Sequence, residues 1–356
     1  KWAMFVPGQM ANSGVKRTIG LGDYLGKPDD KKLNKIKIDA TDFEASTNKL
    51  NEERKKLSTK DRVAYTSHTM FYPFTIDDCF LSSSQNLFPV EYAIKHKNDL
   101  LESGQYSGML CDVFLESGNK LGTTKSNKQL AGFPFSGGVI DAPVQIFEMP
   151  QSNRFDDFIY VSGSDPYKQA KSDTPSLGAF YVFKRRVGIR DPYAYRIVAS
   201  YVSRPSSIDQ FCRTCEVLQK GYGAICLMEN ADQMYEQYLN RKSGMPASFF
   251  LFAGEAIANK YVKAGSRQNS KLGLYPTPGN QNLLFSCVVD YCWQDFVIGY
   301  DDQTSLDITV KGIELIDDIA LLDEIIQYKP GLNVDRIIAF GHALVLARYF
   351  DDNNYM

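Results

Sequence analysis

Three acidic residues stand where apolar segments of the sequence end or begin, and acids in such places can do chemistry. Asp165 follows the strand-like run YVSGS, Glu229 follows the apolar run AICLM, and Asp335 opens a segment with helical periodicity. In an open α/β sheet, ligand sites collect at strand ends and at the helix termini beside them. Clustered carboxylates there supply the hard oxygen ligands that Mg²⁺ or Mn²⁺ prefers for chemistry on a phosphate.

Each of these acids also has a purely structural interpretation. Asp165 precedes a proline and could begin a turn, Glu229 could cap the next helix, and Asp335 could complement a helix dipole. Their joint occurrence at two strand ends and one helix start favours a site.

The elements that must carry the acids begin with β-rich runs. DFIYVSGS, LGAFYVFKRR and AYRIVASYVS are separated by Pro, Gly, Asp and Ser, which is typical of successive strands. A helical segment, SSIDQFCRTCEVLQKGYG, leads from these strands to AICLMEN, a run typical of a strand buried on both faces.

Two further segments, GIELIDDIALLDEIIQY and VDRIIAFGHALVLARYF, are helical by period, and Asn333 is a candidate N-cap for the second. The order of elements predicts an α/β fold in which helices flank a mixed sheet.

Composition and charge exclude several classes of protein. The chain has 356 residues, of which 44% are hydrophobic, enough for a packed core and more than one structural unit. With 40 basic and 42 acidic residues it has no global basic character, so any contact with DNA must be local. No apolar run approaches the roughly 18 residues of a membrane span, and the first residues lack the pattern of a signal peptide.

The seven cysteines are odd in number and scattered, which argues against a disulfide framework and favours a reducing compartment. Cys212 and Cys215 form a CxxC pair that invites a redox or metal interpretation. Both fall on the apolar face of the predicted helix, so we expect them to be core residues.

The chain divides by pattern at about residue 125. Residues 1–125 are poorly periodic and include a charged stretch of mixed sign, expected to be a solvated helix or linker, whereas residues 126–356 carry the sharp pattern.

The order of YVSGSDP, ICLMEN and NVDRIIAFGHAL resembles the C-terminal nuclease domain of the large terminase subunit of tailed bacteriophages, which has a ribonuclease-H-like fold. The resemblance covers about 130–350 well and about 50–95 loosely. The chain has no G-x-x-x-x-G-K-[ST] phosphate loop, so we do not assign it ATP binding. The missing loop and the missing initiator methionine lead us to expect a C-terminal fragment, with residues 1–125 as the tail of the ATPase portion.

The resemblance implies an endonuclease that cuts concatemeric phage DNA during packaging, by hydrolysis with two Mg²⁺ or Mn²⁺ ions. Asp165 would bridge both ions, and Glu229 and Asp335 would each hold one. Asp173 lies where some members place a further acid, although a solvated turn is an equal alternative. The products would carry a 5′ phosphate and a 3′ hydroxyl.

Basic residues near these acids are candidates for DNA contact. Lys271 could contact the scissile phosphate, although a surface lysine is the simpler interpretation. The basic run KRRVGIR, at a predicted hairpin, could track the DNA backbone by charge. Its candidate residues are Lys184, Arg185, Arg186 and Arg190. His342 lies two helical turns after Asp335, about 10 Å by helix rise, and is expected to be structural.

The resemblance implies double-stranded DNA, the portal protein, the small terminase subunit and the ATPase part of the same polypeptide as partners, in the host cytoplasm at the procapsid portal. Three alternatives stay open: a junction resolvase or transposase, an actin-like sugar kinase or ATPase, and a non-catalytic assembly or docking module. Against the kinase, Pro166 and Tyr167 follow Asp165 where a glycine-rich phosphate turn is needed.

Overall fold

The chain forms two compact units, Lys1–Leu87 and Phe88–Met356. The computed structural model describes residues 15–58, 68, 72, 86–103, 108–167, 176–185, 194–231, 233–262, 272–301, 306–329 and 331–353. The division lies ahead of the expected boundary at residue 125, because the strands at Met109–Leu115 and Leu121–Lys125 belong to the large sheet of the second unit. In the described ranges no helix is both long and apolar enough to cross a membrane.

The described residues of the first unit form a small antiparallel sheet and two α-helices. Its elements are β1 (Lys16–Gly20), α1 (Leu21–Tyr24), β2 (Lys37–Thr41) and α2 (Phe43–Ser58). The charged stretch of the sequence, residues 27–62, contains β2 and α2, and Ser46 and Leu50 are the buried side chains of α2. The part of the stretch that forms α2 is a largely exposed helix, whereas the strand β2 within it was not predicted.

Among its described residues, the second unit begins with one α-helix and six successive strands, and its later part is mostly helical. Its elements are α3 (Val90–Glu102), β3 (Met109–Leu115), β4 (Leu121–Lys125), β5 (Val144–Ile146), β6 (Tyr160–Asp165), β7 (Gly178–Lys184), β8 (Arg196–Ser203), α4 (Ile208–Tyr222), β9 (Ile225–Met228), α5 (Met234–Lys242), α6 (Gly254–Tyr261), α7 (Pro278–Trp293), β10 (Asp295–Asp301), β11 (Leu306–Lys311), α8 (Ile319–Ile326) and α9 (Asp335–Asp352).

Seven strands form one mixed sheet in the order β4-β3-β5-β8-β7-β6-β9. Strands β6, β7 and β8 form an antiparallel meander, after which α4 crosses over and β9 pairs parallel with β6. Strands β10 and β11 form a separate antiparallel pair. The predicted fold class is confirmed: this is a ribonuclease-H-like mixed sheet flanked by helices.

Helices cover both faces of the sheet, and the strand sequences reflect this. Every residue of β7 is buried. Tyr181 and Phe183 belong to the core shared with α9, whereas Phe180 and Val182 belong to the core shared with α4. A strand with two buried faces needs apolar residues at successive positions, not only at alternate ones.

Cys212 and Cys215 are buried free thiols in the core beneath α4. Burial raises the pKa of Cys212 to about 12, so it is a thiol at neutral pH. The prediction that the CxxC pair is structural core is confirmed.

Helix α9 lies directly against β6 because one strand residue has no side chain. A Cβ at Gly163 would collide with the carbonyl oxygen of Ala339 and the amide nitrogen of Ala343. Glycine therefore permits the backbones of helix and strand to approach closely. Because of this close packing, Asp335, the first residue of α9, lies near the end of β6 that carries Asp165.

Candidate active site

Asp165 and Glu229 lie next to each other at the ends of the neighbouring strands β6 and β9. Ser164 of β6 pairs with Met228 of the parallel strand β9, and the Glu229 amide donates a hydrogen bond to the Ser164 carbonyl at 2.9 Å. The two acids are therefore the next residues on neighbouring strands, which lie about 4.8 Å apart. Because side chains alternate along a strand, Asp165 lies on the same face as Gly163, the face covered by α9.

Asp335 is the first residue of α9, and three donors fix its carboxylate. Its Oδ2 accepts from the Leu177 amide at 2.7 Å and from Asn333 Nδ2 at 2.8 Å, and its Oδ1 accepts from Ser176 Oγ at 3.2 Å. The N-cap predicted at Asn333 is wrong by one residue: Val334 occupies the cap position, and the Asn333 side chain instead holds Asp335. The bonds from Ser176 and Leu177 join α9 to the start of β7.

Burial has the largest effect on the pKa of Asp335, a residue that is 7% exposed. Desolvation raises the pKa of its carboxyl group, and the hydrogen bonds from Leu177, Ser176 and Asn333 oppose that rise because they favour the charged form. A cation in the adjoining space would favour the charged form further.

The three acids line one cavity of about 680 Å³. It is lined by Asp165, Pro166, Ser176, Glu229, Gln281, Asn282, Phe285, Tyr328, Leu332, Asn333, Val334, Asp335 and Ile338. Among these described lining residues the acids are the only side chains of a charged type, and none is basic. The wall consequently attracts cations and, on its own, repels phosphate.

The donor set fits a hard divalent cation. No group of three His, Cys, Asp or Glu within the described ranges is tight enough to hold an ion. Mg²⁺, however, commonly binds through one or two carboxylates, with water and substrate phosphate completing its shell. Asp335 Oδ1 accepts one protein hydrogen bond and so keeps an acceptor position for such an ion. A site shared by neighbouring carboxylates therefore suits Mg²⁺ or Mn²⁺ without a closed protein cage.

Two of the residues expected to contact DNA lie inside the protein. Lys184 is fully buried and its Nζ donates to Glu148 Oε1 at 2.8 Å, and Arg185 is 2% exposed and lies 2.6 Å from Asp351 Oδ1. A buried charge requires a partner of this kind. Contrary to the expectation from the basic run, these two side chains do not form a projecting surface for a DNA backbone.

The remaining candidates, Arg186, Arg190, Lys271 and Asp173, lie outside the described residues.

His342 does not line the cavity, and it is more deeply buried than the partly buried histidine that the sequence led us to expect. It is fully buried, its Nδ1 donates to the Ile338 carbonyl at 2.9 Å, and its Nε2 has no partner among the described residues. Burial lowers the pKa of the ring to about 4, so the imidazole is neutral at physiological pH.

Sequence reasoning missed the residues that complete the cavity wall. Gln281, Asn282 and Phe285 come from α7, which begins after Thr277 caps its first turn by accepting from the Asn280 amide at 3.2 Å. The TPGN motif is typical of a helix start, because a capping Thr is followed by Pro, but it does not indicate that the first turns of this helix line the cavity. Tyr328, just after α8, has no such signal.

No protein-family model, no curated protein and no solved structure matches this chain.

Proposed function

We propose that this protein is a metal-dependent DNA endonuclease of the large-terminase type, which hydrolyses phosphodiester bonds of concatemeric phage DNA during packaging. One observation carries the proposal: Asp165, Glu229 and Asp335 come from β6, β9 and α9 and line one cavity. The strand order and the sequence resemblance support it.

The three acids have distinct roles in this proposal. Asp165 and Glu229 offer oxygen ligands from adjacent strand ends, and Asp335 offers Oδ1 from the helix start. When bound, Mg²⁺ or Mn²⁺ would lower the pKa of a water molecule and neutralise charge on the phosphate. Ser176, Leu177 and Asn333 hold the Asp335 carboxylate in one orientation, so little motion is needed when substrate arrives.

The sequence resemblance alone supports the wider setting. The partners would be double-stranded DNA, the portal, the small terminase subunit and the ATPase part of the polypeptide, at the procapsid in the host cytoplasm. ATP hydrolysis would belong to that other part.

A plasmid-nicking assay tests the activity. Supercoiled DNA is incubated with Mg²⁺ or Mn²⁺ and wild-type protein, or with Asp165→Asn, Glu229→Gln or Asp335→Asn. We expect nicking by the wild type and background levels for all three variants. The matched control is Asp156→Asn, because that acid is an exposed partner of Arg154 outside the cavity. Equal nicking by wild type and the three variants would overturn the site assignment.

A non-catalytic docking module is the second candidate. It is favoured by the absence, among the described residues, of three metal-ligating groups close enough for one ion. If purified wild-type protein binds DNA but cleaves it with neither metal, this candidate replaces the nuclease.

A further inference from the structure

Part of the cavity wall is aromatic and lacks the carboxylate oxygens that hold a divalent cation. Phe285 of α7 and Tyr328 after α8 both line the cavity, and their ring centroids lie 4.7 Å apart with an interplanar angle of 36°. Phe88 packs edge-on against both rings and supports them. Phe285 and Tyr328 are each only partly buried, so aromatic surface faces the same space as the acids.

Amide side chains border this aromatic surface. Gln281 and Asn282 are exposed residues in the first turns of α7 and line the same cavity. An amide side chain offers both hydrogen-bond donors and an acceptor, and it carries no charge. The wall therefore combines flat apolar rings with neutral groups of both hydrogen-bonding kinds.

Neither a hydrated cation nor a phosphate group would cover aromatic rings, because both are strongly polar. A nucleobase would, because it has two apolar faces for stacking and a polar edge for amide groups. The cavity, about 680 Å³, falls in the range that encloses small organic ligands and exceeds what one phosphate and its ions need. A base within an intact duplex is stacked between its neighbours and cannot present a face, so the base must first leave the stack.

We propose that the aromatic and amide wall formed by Phe285, Tyr328, Gln281 and Asn282 is a binding site for one unstacked nucleobase beside the scissile phosphate. This inference rests on the proposed nuclease function for the identity of its ligand. Within double-stranded DNA, the preferred substrate is then a duplex whose base at the cut is unpaired, as at a gap or a mismatch.

Label-free calorimetry with two hexanucleotides tests the site, since a fluorescent dye could itself stack on the rings. One probe is hexathymidylate, and the other is a hexamer with the same phosphates and abasic residues throughout. Binding is measured with Ca²⁺, which takes oxygen ligands. We expect the wild type to bind hexathymidylate about tenfold more tightly than the abasic hexamer, the size of one stacked base.

The variants separate stacking from mere packing. Tyr328→Leu keeps an apolar side chain but removes the ring, and should bind the two hexamers equally, whereas Tyr328→Phe should keep the wild-type preference. Tyr300→Leu is the matched control, because Tyr300 lies on β10, is 56% exposed and does not line the cavity. Equal wild-type affinity for both hexamers, or an unchanged preference in Tyr328→Leu, would overturn the site.

Cleavage distinguishes failure of this site from failure of the nuclease proposal. We expect the wild type to cut a gapped duplex faster than a fully paired one and Tyr328→Leu to lose that difference. If Tyr328→Leu slows both substrates equally, the base site is wrong and the nuclease stands. If the base preference is present in calorimetry but neither substrate is cut, the base site stands and the nuclease proposal fails.

Discussion

The guanidinium of Arg336 lies 3.4 Å from the carboxylate of Glu324, and both side chains are only 2% exposed. Arg336 directly follows Asp335 in α9 and also donates to the Ala131 carbonyl. The other oxygen of Glu324 accepts from the Ile337 amide at 2.9 Å. The pair therefore joins α8 to the first turn of α9 and fixes where Asp335 stands.

Glu324→Ala should destabilise the protein by about 3 to 5 kcal/mol, because it leaves the Arg336 charge buried without its partner. Urea unfolding followed by circular dichroism measures the change. The double variant Glu324→Leu with Arg336→Met removes both charges and should be more stable than Glu324→Ala. A double variant that unfolds at lower urea than the single one would show that the ion pair does not control stability here.

Gly163→Ala should also destabilise the protein, by about 1 to 3 kcal/mol, since its Cβ would collide with backbone atoms of α9 that cannot rotate away. Because the start of α9 would move with the helix, we expect weaker nicking as well. Gly132→Ala is the matched control: apart from its chain neighbours, no described residue has an atom within 4 Å of the added Cβ, and stability should change by less than about 0.5 kcal/mol. Equal unfolding midpoints for the two variants would contradict this account of the contact between α9 and β6.

The sequence predicted those parts of the fold that depend on local periodicity. The strand ends at Asp165 and Glu229 and the helix start at Asp335 follow from apolar runs and from turn residues. Contacts between distant segments could not be predicted. Ser176 and Leu177 donate hydrogen bonds to Asp335 across sequence separations of 159 and 158 residues, and local periodicity does not relate segments that far apart.

The burial of Lys184 and Arg185 could not be predicted either, because it depends on contacts with residues that are distant in the sequence. A run of basic residues normally indicates a solvated surface, because an unpaired charge is costly to bury. Lys184 and Arg185 are buried because Glu148 and Asp351, distant in the chain, neutralise them. Similarly, Phe285 and Tyr328 resemble ordinary core residues in the sequence, and only the packing of α7 beside α8 brings their rings into one cavity.

Asn333→Ala should lower the nicking rate about tenfold, because Asp335 loses one of the donors that orient it. Asn333 is exposed, so the free energy of unfolding should change little. Asn353→Ala, near the other end of α9, removes a similar amide from an exposed position and should leave the rate unchanged. Wild-type nicking by Asn333→Ala across a Mn²⁺ titration would show that this amide does not position Asp335.

His342 should make the protein less stable as the pH falls from about 6.5 to about 4. Burial lowers the pKa of the folded ring from 6.5 to about 4, so between these values the unfolded chain binds a proton that the folded protein does not. Stability therefore decreases towards acid by up to about 3 kcal/mol from this residue.

Two non-titrating variants, His342→Leu and His342→Gln, isolate this contribution from that of the acids. Urea unfolding at several pH values between 4 and 7 gives the slope of stability against pH for each protein. Both variants should have a shallower slope than the wild type, although the polar Gln and the apolar Leu will differ in absolute stability because the site beside Ile338 is fully buried. A slope that both variants share with the wild type would mean that His342 takes up its proton at the same pH in the folded and unfolded states, and that its burial does not govern acid sensitivity.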